Sequence, residues 1–199
     1  SLPHALLITG VVGAGKAELV NWLSHRLLCG QPQKKHNLDY LSACGQCKAC
    51  QLLLKHSYPG FCLLEAEGRT LGVDEVRKAN RFLEKTAMIG TYKVVIIKDA
   101  DKMTVAAANA LLKTLEEPSD NSLLILTAVD SEVLLPTIVS RCQVMNIRPP
   151  VGKNLLSHLG ITGINAYANL SHLPELTSEQ LAQQYENIEQ AFINYLYNN

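Results

Sequence analysis

The chain has 199 residues, 47% of them apolar and 18% charged, a balance that suits a folded core and excludes a disordered chain. Its 18 basic and 18 acidic residues cancel, which argues against a protein held to nucleic acid by bulk charge. No apolar run is long enough to span a bilayer, and Ser1-Leu2-Pro3-His4 has neither the basic start nor the apolar centre of a signal peptide, so the expectation is a cytoplasmic protein with no membrane partner.

The first element is a short apolar run over 5–9, the length of a buried strand. It leads into Gly10-Val11-Val12-Gly13-Ala14-Gly15-Lys16-Ala17, and Lys16 opens a helical pattern with apolar residues at Val20, Leu23 and Leu27. Strand, glycine-rich loop and helix with the spacing G-x-x-x-x-G-K make a P-loop. Gly10, Gly13 and Gly15 let backbone N–H groups turn in around a phosphate, while the helix N-terminus and the Lys16 ammonium supply positive charge. The hydroxyl residue that holds Mg2+ in such loops is Ala17 here, and a methyl group cannot coordinate a metal. Two readings stay open: a loop that still cradles ATP or ADP with hydrolysis impaired, and a glycine-rich turn without a ligand.

The helix is expected to run to Leu28 and end at Cys29-Gly30, with Pro32 preventing its return. Residues 31–43 have no apolar periodicity and read as an exposed loop carrying Lys34, Lys35 and His36. Cys44-Gly45-Gln46-Cys47-Lys48-Ala49-Cys50 then puts two C-x-x-C steps on one knuckle, and Cys29 can return as a fourth thiol. Four thiolates around Zn2+ make a closed tetrahedral site, structural rather than catalytic. His36 and His56 are rival fourth ligands, and three packing cysteines without a metal are the plain alternative. With 51–56 helical, the zinc module spans about 29–56.

Residues 57–60 form a turn, 61–65 a short strand with Cys62 as a core thiol, and 73–85 an amphipathic helix with Val76, Ala79, Phe82 and Leu83 on one side. Its basic residues Arg77, Lys78 and Arg81 read as a solvated face. The run 92–98 is continuous and β-branched, as a central parallel strand should be, and it ends at Asp99-Ala100-Asp101. An acid at such a tip beside a P-loop reaches Mg2+ through water, as a Walker B Asp does. The Glu that next polarises the attacking water in ATPases of this architecture is replaced by Ala100, and Asp101 reads as a turn or cap residue. Thr104 caps a helix over 105–117 that Pro118 stops. A strand over 123–127 carries Thr127 at its tip, a short helix over 136–141 carries Ser140-Arg141-Cys142, and a last strand covers 144–147.

Pro149-Pro150 marks a boundary between an α/β domain over 1–149 and a small helical domain over 150–199. From residue 151 on, Lys153 is the one base against Glu175, Glu179, Glu186 and Glu189; the remainder holds 17 bases and 14 acids, so any nucleic-acid contact belongs to the first part.

The order of P-loop, three-cysteine knuckle, strand ending in Asp99, A-A-N-A-L-L-K-T-L-E-E-P over 107–118, Thr127 and Ser-Arg-Cys resembles the bacterial DNA polymerase III clamp-loader subunits, AAA+ proteins with a zinc module after the P-loop helix. The likeness covers most of residues 4–150 and is most specific at 111–118 and 140–142. It is poor over the helical domain, which holds no Arg to act as the nucleotide-sensing arginine of an AAA+ lid. The losses at Ala17 and Ala100 set the chain beside the non-hydrolysing member of that group rather than the ATP-hydrolysing gamma/tau subunit. The resemblance implies a parallel α/β sheet flanked by helices, an inserted zinc module, and a small helical lid at the C-terminus. It also implies a third, helical collar domain at the C-terminus, and the expectation is that the present sequence is trimmed short of it. Implied partners are the gamma/tau and delta subunits in a ring-like pentamer, the sliding clamp and primed DNA. Gly10, Gly13, Gly15, Lys16, Asp99 and Thr127 would be a vestigial nucleotide site, and Arg141 an arginine finger acting in trans on ATP held by a gamma/tau neighbour. A structural ion pair is the alternative for Arg141.

Two other functions compete with this reading. Lys16 and Asp99 survive, as an active P-loop ATPase of gamma/tau type needs, and the basic loop at 34–36 would suit a zinc-knuckle nucleic-acid-binding protein.

Overall fold

In the computed structural model of the chain, the described residues are 3–34, 41–66, 68–84 and 92–148. In chain order they form β1 (Ala5–Thr9), α1 (Lys16–Leu28), β2 (Gln33–Lys34), β3 (Leu41–Ser42), α2 (Lys48–Leu54), β4 (Phe61–Leu64), α3 (Val73–Glu84) and β5 (Lys93–Ile97). A 3-10 turn (Ala100–Lys102), α4 (Val105–Glu116), β6 (Ser122–Ala128), α5 (Pro136–Val139) and β7 (Gln143–Asn146) follow. Residues 1–148 make one compact unit and 149–199 a second. The predicted helices of 150–199 lie outside the described residues, as does His36. No described helix is long and apolar enough to cross a membrane.

Five strands pair in parallel in the order β4-β5-β6-β1-β7. Continuous apolar runs such as Ala5–Thr9 and Lys93–Ile97 are buried along their whole length, as strands covered on both faces must be. Alternation then divides each strand between two cores. Leu7, Val95, Ile97, Leu124 and Leu126 face α3, α4 and α5, while Leu6, Ile8, Val94, Ile96 and Ile125 face α1 and α2. The run expected to be central is β5, an inner strand, but the middle of the sheet is β6.

Two links between elements carry polar groups into these cores. Thr104 caps α4, its Oγ1 accepting from Ala107 N–H at 3.1 Å. Lys93 is buried at the start of β5, and its ammonium donates to the carbonyls of Phe82 and Leu83 at 3.0 and 2.8 Å, closing the C-terminus of α3. Residues 31–43, expected as plain loop, contain the antiparallel pair β2–β3. Two-residue strands leave no apolar pattern; they form where Cys29 and Cys44, on either side, are drawn together.

The parallel arrangement fixes where functional groups lie. The glycine loop after β1, Asp99 after β5 and Thr127 near the end of β6 share the C-terminal edge of the sheet. That edge is where open α/β sheets bind ligands.

Candidate functional site

Four thiols meet where α1 ends and α2 begins. Cys29 is the C-cap of α1, Cys44 follows β3, Cys47 is the N-cap of α2, and Cys50 lies in its first turn. Their sulfurs all lie within 4.8 Å of one another, with Cys29–Cys44 at 3.6 Å, Cys29–Cys47 at 3.9 Å and Cys44–Cys50 at 4.0 Å. A tetrahedron of sulfurs about 2.3 Å from Zn2+ has edges of about 3.8 Å, so the set fits the ion. Backbone N–H groups already favour thiolate at two members. The Cys47 N–H, chief among several donors, lowers Cys44, and the Cys50 N–H does most to bring Cys47 down to about 6. Burial pushes Cys50 up to about 12, so its proton is one a metal would displace. Cys29, Cys44, Cys47 and Cys50 would hold Zn2+ with no position open to substrate, a clamp between α1 and α2. Of the rival fourth ligands, His56 is not in the cluster.

At the C-terminal edge, Gly13 and Gly15 adopt φ of 82° and 92°, conformations that a side chain would strain. Gly10 meets a different constraint: a Cβ there would lie 2.4 Å from the carbonyl oxygen of Ile147. The Lys16 ammonium turns back on its own loop, donating to the carbonyls of Gly10 and, at 3.1 Å, Val11. A cavity of about 410 Å³ opens beside it, and its lining includes Lys16, Ala17, Asp99, Thr127, Leu53 and His56. The predicted site residues Lys16, Asp99 and Thr127 therefore share one cavity.

Asp99 does not point freely into that space. It sits at φ 52°, its N–H donates to Thr127 Oγ1 at 3.0 Å, and its carboxylate pairs with Lys102 at 3.0 Å. Ala100 is only 1% exposed and packs into the core beneath α3 and α4. A longer acidic side chain at 100 would enter that core rather than the cavity. Residue 100 thus faces the core in this backbone path.

Arg141 lies at the other edge. It follows α5 in the turn before β7, whose first residue pairs beside Leu6 of the parallel β1. The five residues of β1 put about 16 Å between that edge and the glycine loop. The side chain is engaged within its own fold. Arg141 Nη2 pairs with Glu116 Oε1 at 2.8 Å, and Nη1 donates to the Thr137 carbonyl at 2.9 Å, leaving the side chain 35% exposed. Cys142 beside it packs on the core, and burial pushes its thiol up to about 11, so it helps to anchor the turn as a neutral thiol.

A family model described as "DNA polymerase III, delta subunit" matches residues 1–151. The chain belongs to that family. It is 44% identical over 141 residues to the DNA polymerase III subunit delta' of Pseudomonas aeruginosa, covering 70% of this chain and 41% of that protein. With the subunit delta' of Escherichia coli it shares 43% over 149 residues, 74% of this chain and 43% of the other. The chain thus spans about two-fifths of the length of these relatives. The delta-prime type, rather than gamma/tau, is the one to which Ala17 and Ala100 point. The crystal structure of a gamma subunit-related protein from Thermotoga maritima superposes with a TM-score of 0.56 at 23% identity, over 93% of this chain and 57% of that one, and establishes the shared fold. That fold is the expected P-loop AAA+ sheet flanked by helices.

Sequence reasoning missed Glu116 and Lys102, the partners of Arg141 and Asp99. Lys102 stands three residues from its partner, a spacing that could have announced it; Glu116 stands far from Arg141 in the chain and gave no such signal.

Proposed function

We propose that the chain is the AAA+ part of a non-hydrolysing clamp-loader subunit. In this reading it assembles with gamma/tau and delta subunits, supplies Arg141 in trans to ATP bound by a neighbour, and helps to load the sliding clamp onto primed DNA. Family membership supports the setting. The observation that carries the division of labour is topological: the guanidinium and the chain's own nucleotide loop lie at opposite edges of one parallel sheet, so Arg141 cannot serve Lys16 in the same chain. A guanidinium that completes a neighbour's site stabilises charge on the transferring phosphoryl group. Zn2+ on the four thiols is the structural cofactor, 1–149 the AAA+ domain and 150–199 the lid. Any nucleotide at Lys16 would be held without turnover, because the Mg2+ ligand and the water-activating acid are both missing at Ala17 and Ala100.

The test is ATP hydrolysis by the chain alone and by the complex with its partners and primed DNA. The isolated chain should show no appreciable turnover. Arg141→Ala should slow hydrolysis at the affected site of the complex by roughly tenfold or more, with a smaller loss in the total because other sites of the ring still work. Turnover by the isolated chain that Lys16→Ala abolishes would instead identify an active ATPase.

A further inference from the structure

Arg141 and Glu116 come from different elements, and neither is needed by the core. Glu116 is the last residue of α4, next to buried Leu115; Arg141 follows α5, whose Ile138 is also buried. Both side chains therefore stand on backbone fixed by apolar packing, while their charged ends meet at the surface, 52% and 35% exposed. An ion pair so exposed contributes little to stability. What it does control is direction. A free arginine visits many rotamers, whereas this guanidinium is held at both terminal nitrogens, by Glu116 Oε1 at 2.8 Å and the Thr137 carbonyl at 2.9 Å. Ser140 Oγ lies 3.4 Å from Nη1, a weaker third contact. A guanidinium has five N–H donors in one plane; Nη1 directs its two at Thr137 and Ser140, which leaves those of Nε and Nη2, the latter beside the Glu116 carboxylate, to meet an incoming phosphate.

We propose that Glu116 is the positioning residue of Arg141, holding its guanidinium in the orientation in which it meets the phosphates of a nucleotide on the neighbouring subunit. This rests on the reading of Arg141 as a residue acting in trans. In this role Glu116 acts through Arg141 rather than on the nucleotide itself, as outer partners do for catalytic side chains held ready in advance. The carboxylate is acceptor-only, and the amide oxygen of a glutamine can also accept from the guanidinium across this 2.8 Å contact. Orientation rather than charge is what the position supplies, so glutamine should serve there and alanine should not.

The experiment uses the full-length protein carrying Glu116→Ala, Glu116→Gln, Arg141→Ala, or Glu116→Ala with Arg141→Ala, each assembled with its partner subunits and assayed for ATP hydrolysis on primed DNA. Glu116→Ala should lower kcat at the affected site by roughly three- to tenfold while KM for ATP stays within about twofold. Glu116→Gln should recover at least half of the wild-type rate, and the double variant should be no slower than Arg141→Ala. An unchanged or raised kcat in Glu116→Ala overturns the proposal. So does a double variant slower than Arg141→Ala by the full Glu116→Ala factor, which would show Glu116 acting by another route. Loss of assembly shared by Glu116→Ala and Glu116→Gln would mark the residue as structural and also overturn it. If Arg141→Ala itself leaves kcat unchanged, the trans-acting reading has failed and this proposal falls with it. If only the Glu116 variants are silent, the trans reading stands without it.

Discussion

His25 shows how the cavity at the glycine loop bears on a titrating side chain. It projects from α1 into the same space as Lys16 and His56, and burial, with a smaller contribution from the charge of His56, holds its pKa below the ordinary 6.5. The sign follows from linkage: as pH falls below 6.5 the unfolded chain takes up this proton before the folded one, so stability contributed by neutral His25 is lost on acidification. Urea unfolding at pH 7.5 and 5.5 should therefore show a smaller loss for His25→Gln than for the wild type. Equal losses would mean that His25 is not the group responsible.

Among the elements, α3 depends on a residue outside itself. Its last carbonyls, which a helix end leaves without partners, receive the ammonium of Lys93 from β5. Lys93→Met keeps the length of the side chain and removes the donors, so it should cost about 1–3 kcal/mol and expose the C-terminal amides of α3 to exchange. An unchanged denaturation midpoint would refute this. The contrast with Thr104 marks what a sequence discloses. Thr104 acts three residues from its target, and Pro118 stops α4 within the same stretch, so both are read from spacing. The strands β1, β5 and β6 are equally legible, because continuous apolar runs between loop residues have few other uses. Lys93 meeting Phe82, Glu116 meeting Arg141, and Ala100 turning into the core are consequences of packing between segments with no shared period. The four clustered thiols were legible because the chemistry of the set, rather than its distance in the chain, names them.

For the whole molecule the two faces of the sheet are unequal. Both faces carry an apolar core, one under α3, α4 and α5 and the other under α1 and α2, and it is the latter two helices whose ends meet at the thiol cluster. The protein purified without chelator should contain one Zn2+ per chain. Chelation or Cys44→Ser should remove it and raise amide exchange in α2 and the last turn of α1, with α4 and β6 still protected. Metal analysis showing no zinc, or collapse of protection across the whole sheet, would contradict this division.

The place of β1 has a consequence for synthesis. It is made first among the described strands, yet its two neighbours, β6 and β7, are the last. At about 5–20 residues per second, β6 leaves the ribosome on the order of ten seconds after β1. Through that interval β1 is an apolar segment with both edges open, while every member of the thiol cluster has already been made by residue 50. The knuckle can close early and hold α1, but it offers β1 no strand to pair with. A nascent chain arrested anywhere between Ala17 and Ser122 carries the whole glycine loop and neither of the strands that would seat it.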